Sequence, residues 1–348
     1  MAALRPLLLR LLAGLRLDAL ARPLHGGAGA VLMFHRVQPD DPTLTFGPNR
    51  RNSVTPGLFC RLLDALAAAG IAAVTLEEAA ARLAAPRPGR FVCLTFDDGY
   101  RDNHDILLPI LEARRVPAIV YVAPGLVDGT APLWWYGLDQ AIAREGALRL
   151  PLDGAAELPA AEGRAKHAAY ARAAAAMLRA RPDAVAAVST TLAERYGVDF
   201  AALARRHMMG WDMVRRLAAS PWVTIGAHTL SHPSLATLDE AAALAEMGGS
   251  RERLEAETGL PVRHFAYPFG TPVTTGPREA RLAQALGFRT AVTTHPGNLF
   301  PAHLGQPCVW PRHGIGPEDG PEAVRVKLSG LANALRRPLR RVVTAPLG

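Results

Sequence analysis

The chain is short of several things, and each shortage excludes something. It has three cysteines, Cys60, Cys93 and Cys308. Their odd number and wide spacing leave no disulfide framework and no paired-cysteine zinc site, which fits a reducing compartment. No apolar stretch approaches the roughly 18 residues that a membrane-spanning helix needs. Aromatics are only 6% of the residues, and neither a nucleic-acid-binding motif nor a fixed-period repeat appears. The +8 net charge therefore reads as solvated arginine rather than as a nucleic-acid footprint. With 348 residues, 49% of them hydrophobic, the chain is long enough to bury a full core in one large domain or two smaller ones.

The first 26 residues are rich in leucine, but Arg5, Arg10, Arg16 and Arg22 interrupt them. A secretory signal needs an unbroken apolar core and a small-residue cleavage site. The segment reads instead as an amphipathic basic helix, with Leu7, Leu8, Leu11, Leu12 and Leu15 on one face. Such a helix packs on the domain or lies on a membrane surface. Arg336, Arg337, Arg340 and Arg341 add a second basic end. The location expected is the cytoplasm, with peripheral contact at an inner membrane face as the alternative.

Between these ends, strand and helix signals alternate. Strands are predicted at Val31–Phe34, Ala72–Val74, Phe91–Phe96, Ala118–Val122, Trp222–Ile225, His264–Tyr267, Arg289–Thr293 and Cys308–Trp310. Thr55-Pro56 opens a helix whose apolar face is Leu58, Phe59, Leu62, Leu63 and Leu66, and Gly70 suits its stop. Thr75 with Glu78 has the capping-box pattern. Further helices are expected at 105–114, 238–257 and 277–286. Seven or eight short strands alternating with helices imply a mostly parallel sheet. Closed into a barrel, such a sheet carries its functional loops at the C-terminal strand ends. Residues 130–210 break the rhythm with Trp134-Trp135-Tyr136 and alanine-rich helical stretches at 165–180 and 184–196. They read as an inserted helical subdomain, the aromatic trio being its packing hinge or a sugar-stacking surface.

The chemistry gathers at three strand ends. The strand Phe91–Phe96 runs into Asp97-Asp98-Gly99. Two adjacent carboxylates repel and cost desolvation unless a cation lies between them; the alternative is a solvated turn. A second apolar run ends in His228-Thr-Leu-Ser-His232-Pro233. Two imidazoles and a carboxylate leave open positions on a metal, as a catalytic site requires. Zinc suits that donor set, with cobalt or another first-row ion possible. The third strand ends in Tyr267-Pro268-Phe269-Gly270, a turn able to aim a backbone N–H at an oxyanion.

Thr95-Phe-Asp-Asp-Gly99, His228-Thr-Leu-Ser-His232-Pro233 and Phe265-Ala-Tyr-Pro-Phe-Gly270 together resemble the first three motifs of the polysaccharide deacetylase family, also called the NodB-homology domain or carbohydrate esterase family 4. The resemblance spans roughly 27–316, leaving 1–26 as the N-terminal helix and 317–348 as a basic C-terminal helix or tail. It implies an α/β fold, a distorted (β/α) barrel, here with the insertion at about 130–210. It also implies a metal-dependent hydrolase that removes N-acetyl groups from an N-acetylated polysaccharide or chitooligosaccharide, metal-activated water attacking the acetamide carbonyl. Asp98, His228 and His232 match the metal ligands, Asp97 the general base, and the Phe269 N–H the oxyanion donor. Tyr267, Pro268, Trp134 and Trp135 are the expected substrate contacts.

Two departures stand out. Many members carry a late histidine as general acid; here His313 is favoured, with His295 or neither as alternatives. Many also place an arginine against the base where this chain has Ala266, for which Arg312 is a candidate substitute. His35 matches an early histidine of one branch, and either orients Asp97, contacts substrate or is a satisfied rim residue. Asp102 and Asn103 are expected to cap the next helix. Two other functions remain open: hydrolysis of another C–N bond in a small amide or cyclic ureide, and a catalytically lapsed carbohydrate-binding protein.

Overall fold

The structure, a computed structural model, describes residues 17–40, 46–152, 157–336 and 341–343. The leader's leucine face and Arg337 and Arg340 lie outside the described residues. No helix among the described residues is long and apolar enough to cross a membrane.

Nine strands form one sheet: β1 (Gly29–Phe34), β2 (Ala72–Ala73), β3 (Phe91–Phe96), β4 (Ala118–Val122), β5 (Val223–Ala227), β6 (His264–Ala266), β7 (Thr290–Val292), β8 (Asn298–Leu299) and β9 (His313–Gly314). The order is β7-β6-β5-β4-β3-β1-β8, with β2 added to β3 and β9 to β1. Every pairing is parallel except β1 with β8. The sheet curls into an open barrel. Its gap is bridged by residues 310–314: Trp310 pairs with Val292 of β7, and His313 pairs with Leu32 of β1.

Alternation along the strands divides the apolar residues between two cores. Ala30, Leu32, Phe34, Leu94, Phe96, Phe265 and Tyr267 point outward against the helices. Val31, Phe91, Cys93, Ile119, Tyr121, Ala266, Val292 and Trp310 fill the barrel. Gly226 on β5 is required by this packing, because a Cβ there would lie 2.4 Å from the Tyr121 ring. Burying each large apolar side chain stabilises by about 1.5–3 kcal/mol.

The local signals translate with small differences. Thr55 and Thr75 cap their helices, accepting from the Leu58 and Glu78 amides at 3.1 Å. Glu78 does not complete a capping box; its carboxylate takes Arg82 one turn on. The expected strand Cys308–Trp310 is instead a 3-10 turn, Pro307–Val309. Pro307 fixes φ and lacks an amide, which suits the start of a turn, and only Trp310 reaches the sheet. Asp102 and Asn103 cap nothing. They lead a π-helical turn, Asn103–Leu107, and reach back to the end of β1 instead: Asp102 accepts from Arg36 and from the Val37 amide, and Asn103 donates to the His35 carbonyl.

Residues 130–210 build their own apolar cluster from helices Trp134–Arg144, Gly163–Met177, Pro182–Tyr196 and Phe200–His207. Tyr100, just beyond the Asp pair, is buried in that cluster, so this helical layer roofs the C-terminal rim of the barrel.

Candidate active site

Asp97 and Asp98 follow β3, and His228 and His232 follow β5, two strands away across β4. All four side chains are buried. Asp98 Oδ1 lies 3.2 Å from Nε2 of both His228 and His232. One ligand atom from each of the three residues falls within 4.8 Å of the others. Five non-glycine residues among those described have positive φ, and four are here: Asp98, Thr229, His232 and Phe269. Such backbone costs energy and persists only where the surroundings over-determine it.

The donor set fits a divalent metal. His228 Nδ1 donates to the Ala266 carbonyl at 2.7 Å, which fixes the tautomer and turns the Nε2 lone pair toward Asp98. Burial holds the His232 imidazole below its ordinary pKa, against the pull of Asp98, so it is neutral and able to ligate. Burial pushes the Asp98 carboxyl up, but its close approach to the two histidines, 3.2 Å from each, brings it well below the usual range. One carboxylate and two imidazoles leave further positions open, as catalytic zinc sites do.

Asp97 faces a different partner. Arg312, fully buried, forks onto it with Nη1 to Oδ1 and Nη2 to Oδ2, both at 2.7 Å. The guanidinium is itself held by the Thr95 hydroxyl at 3.1 Å and the Thr293 carbonyl at 2.9 Å. Burial pushes the Asp97 carboxyl up, yet the charge and hydrogen bonds of Arg312, helped by His228 and His35, keep it below the usual carboxylate range. Arg312 thus occupies the place that Ala266 leaves empty, arriving from the strap that closes the barrel.

Several other expected site residues lie outside this cluster. His313 is adjacent to Arg312 in extended chain and so faces the other way. It pairs with outward-facing Leu32 and bonds Asn298 at 2.9 Å, away from Asp97. Tyr267 lies on the outer face of the sheet, fully buried, its hydroxyl donating to the Cys308 carbonyl, and Pro268 is buried in the turn; neither offers surface to a substrate. Trp134 and Trp135 are 7% and 8% exposed, too little for sugar stacking. Their rings brace the site instead: Trp135 lies 5.1 Å from His232, and Trp134 6.0 Å from Phe269.

His35 follows β1 and is half-buried, next to Phe34, whose carbonyl accepts from the Asp97 amide at 3.0 Å. His295 follows β7, its amide directed at Thr293 Oγ1. Phe269 holds its left-handed backbone with its ring edge-on to His232 at 4.8 Å. After it, Gly270 has no room for a Cβ, which would meet the Thr294 amide nitrogen at 2.8 Å. A buried network beside the site has no local signal in the sequence: Arg36 bonds Asp102 at 2.8 Å and the Tyr136 hydroxyl at 2.7 Å, and Tyr136 stacks on His207 at 4.4 Å.

Residues 84–147 and 163–291 match the family model described as polysaccharide deacetylase. No curated protein matches the chain by sequence. Among solved structures, the deacetylase PplD of Streptococcus pyogenes, in complex with acetate, is 19% identical with a TM-score of 0.56, over 86% of this chain and 97% of that one. IcaB from Ammonifex degensii is 19% identical with a TM-score of 0.55, over 88% and 98%. BC0361, a polysaccharide deacetylase from Bacillus cereus, is 17% identical with a TM-score of 0.54, over 86% and 68%. At these identities the likeness establishes a shared fold, the curled and mostly parallel sheet of these deacetylases. Because the family model matches more than half of its length, the chain belongs to the polysaccharide deacetylase family.

Proposed function

We propose that the protein is a metal-dependent N-deacetylase acting on an N-acetylated polysaccharide or oligosaccharide, with zinc as the metal that best suits its donors. The observation that carries this reading is the division of labour between neighbours: Asp98 faces two histidines, while Asp97 is held ionised by Arg312. Asp98, His228 and His232 would hold the ion. When bound, it supplies Lewis acidity to the attacking water and to the acetamide carbonyl.

The remaining work belongs to the chain. Asp97, ionised and fixed in orientation, accepts the proton of the water as its oxygen bonds to the carbonyl carbon. The Phe269 N–H, on a turn locked by positive φ, donates to the oxygen that becomes negative. When the C–N bond breaks, the departing amine takes a proton from His35, half-buried at the end of β1. Acetate and a free sugar amine result. With His313 turned away, His35 is the histidine at the neighbouring strand end, directly after Phe34, whose carbonyl accepts from the Asp97 amide at 3.0 Å. The reading as a lapsed binding protein drew on the missing arginine at Ala266 and on the uncertain general acid; the fork of Arg312 onto Asp97 speaks against the first of these.

Purified protein should release acetate from chitooligosaccharides, peptidoglycan fragments or poly-N-acetylglucosamine. A chelator should abolish the release, and zinc or cobalt should restore it. No acetate from any of these with added metals would sink the proposal.

A further inference from the structure

The two ligand histidines are oriented by different devices. His228 is tied by its second nitrogen to the Ala266 carbonyl at 2.7 Å. The corresponding nitrogen of His232 has no hydrogen-bond partner among the described residues. An imidazole torsion is broad and shallow, so a ring without an outer hydrogen bond must be confined by packing or it turns. Two rings supply that confinement. Phe269 meets His232 edge-on at 4.8 Å and 73°, and Trp135 lies against it at 5.1 Å and 54°. Phe269 comes from the barrel rim; Trp135 comes from the helical insertion.

Trp135 is in turn secured to the barrel. Its indole Nε1 donates to the Tyr100 hydroxyl at 3.1 Å. The Arg36 guanidinium lies 4.9 Å from the centre of the Tyr100 ring. Arg36 also bonds Asp102 and, through the next residue of the insertion, the Tyr136 hydroxyl. A continuous set of buried contacts therefore runs from the Arg36–Asp102 ion pair at the barrel, through Tyr100 and Trp135, to one metal-ligand candidate.

We infer that Trp135 is a positioning residue that holds the His232 imidazole in its ligating orientation, and that the Arg36–Asp102 pair holds Trp135 in place. The helical insertion is then a structural part of the metal centre and more than a cover over it. The inference rests on reading Asp98, His228 and His232 as the metal ligands.

The test measures zinc affinity of the full-length protein by competition with a chromogenic chelator, together with the visible spectrum of the cobalt-loaded form and the unfolding temperature of the metal-free form. Trp135→Phe keeps a flat ring against His232 and should stay within about threefold of wild type. Trp135→Ala should weaken zinc binding by about tenfold or more, in the range expected when an outer-shell support of a metal ligand is lost, and should change the cobalt spectrum. Asp102→Asn should fall between them. A Trp135→Ala protein that binds zinc within twofold of wild type overturns the inference, even if its metal-free unfolding temperature drops. So does a Trp135→Phe protein that loses as much affinity as the alanine variant. Zinc uptake that is unchanged in the His228→Ala variant overturns the assignment of the metal site itself, a separate result.

Discussion

Two buried arginine–carboxylate pairs lie within one wall of each other, and they behave differently. Arg312 grips Asp97 with both oxygens engaged at 2.7 Å, and the carboxyl is held below its usual range. Arg36 grips Asp102 through one nitrogen at 2.8 Å, and there burial wins: the Asp102 carboxyl is raised. The difference lies in what else each group must serve. Arg312 is fixed by neutral acceptors, Thr95 and Thr293, so its charge is concentrated on Asp97, which also feels His228 and His35. Arg36 divides its donors between Asp102 and the Tyr136 hydroxyl. In the proposed mechanism the same pair of functional groups thus makes a base in one place and a latch in the other. Counting ion pairs does not distinguish them.

The comparison breaks most decisively at Asp97. Asp97→Asn should lower acetate release by roughly a hundred- to ten-thousand-fold, the range for losing a general base, while zinc binding is retained. Full activity in that variant would make Asp97 another latch.

Arg312→Ala leaves a buried carboxylate without its partner, which should cost about 3–5 kcal/mol of stability, read by denaturant unfolding. The sign of its pH effect follows from the direction of the shift. Arg312 lowers the Asp97 pKa, so its removal raises it, and the acid limb of the pH–rate profile should move to higher pH. An unmoved acid limb would detach Arg312 from the chemistry.

Asp102→Asn should cost less, about 1–3 kcal/mol for a compromised buried hydrogen bond, and should leave the acid limb where it is. A shift equal to that of the Arg312 variant would merge the two pairs into one class.

The smallest effect is expected at Glu77, whose carboxylate bonds the buried His264 at 2.6 Å and is lowered to about 2, chiefly by that hydrogen bond. Its contribution to stability is complete above the ordinary glutamate pKa and fades as pH falls toward 2. Glu77→Gln should flatten that part of the stability–pH curve. A Glu77→Gln curve that keeps the wild-type slope there would show the pair contributes nothing.

Where a side chain's role follows from a strand ending, the sequence was readable. The apolar runs, their polar ends and the spacing of His228 and His232 located the cluster, because a buried strand has to stop where its carboxylates begin. Facing directions were less readable. In an extended segment neighbours point to opposite sides, and a shift of one residue reverses every assignment. His313 and Arg312 differ by that single step, as do Tyr267 and Ala266, and nothing local in a short polar strap or a three-residue strand says which of the two looks inward. The Arg36 network was not readable either, since its members stand 66 and 100 residues apart. Only the packing of the insertion on the rim joins them.

The strap at residues 310–314 has a consequence for what counts as the working unit. The family model matches 84–147 and 163–291, a span that holds Asp97, Asp98, His228, His232 and Phe269. Arg312 comes from beyond it, and His35 and Arg36 precede it. A fragment cut to the signature would carry the proposed ligands and base without the guanidinium that grips Asp97 or the imidazole offered as proton donor. For transplantation or engineering, the transferable module runs from β1 through the strap, because the seam that closes the barrel also delivers the arginine that grips Asp97.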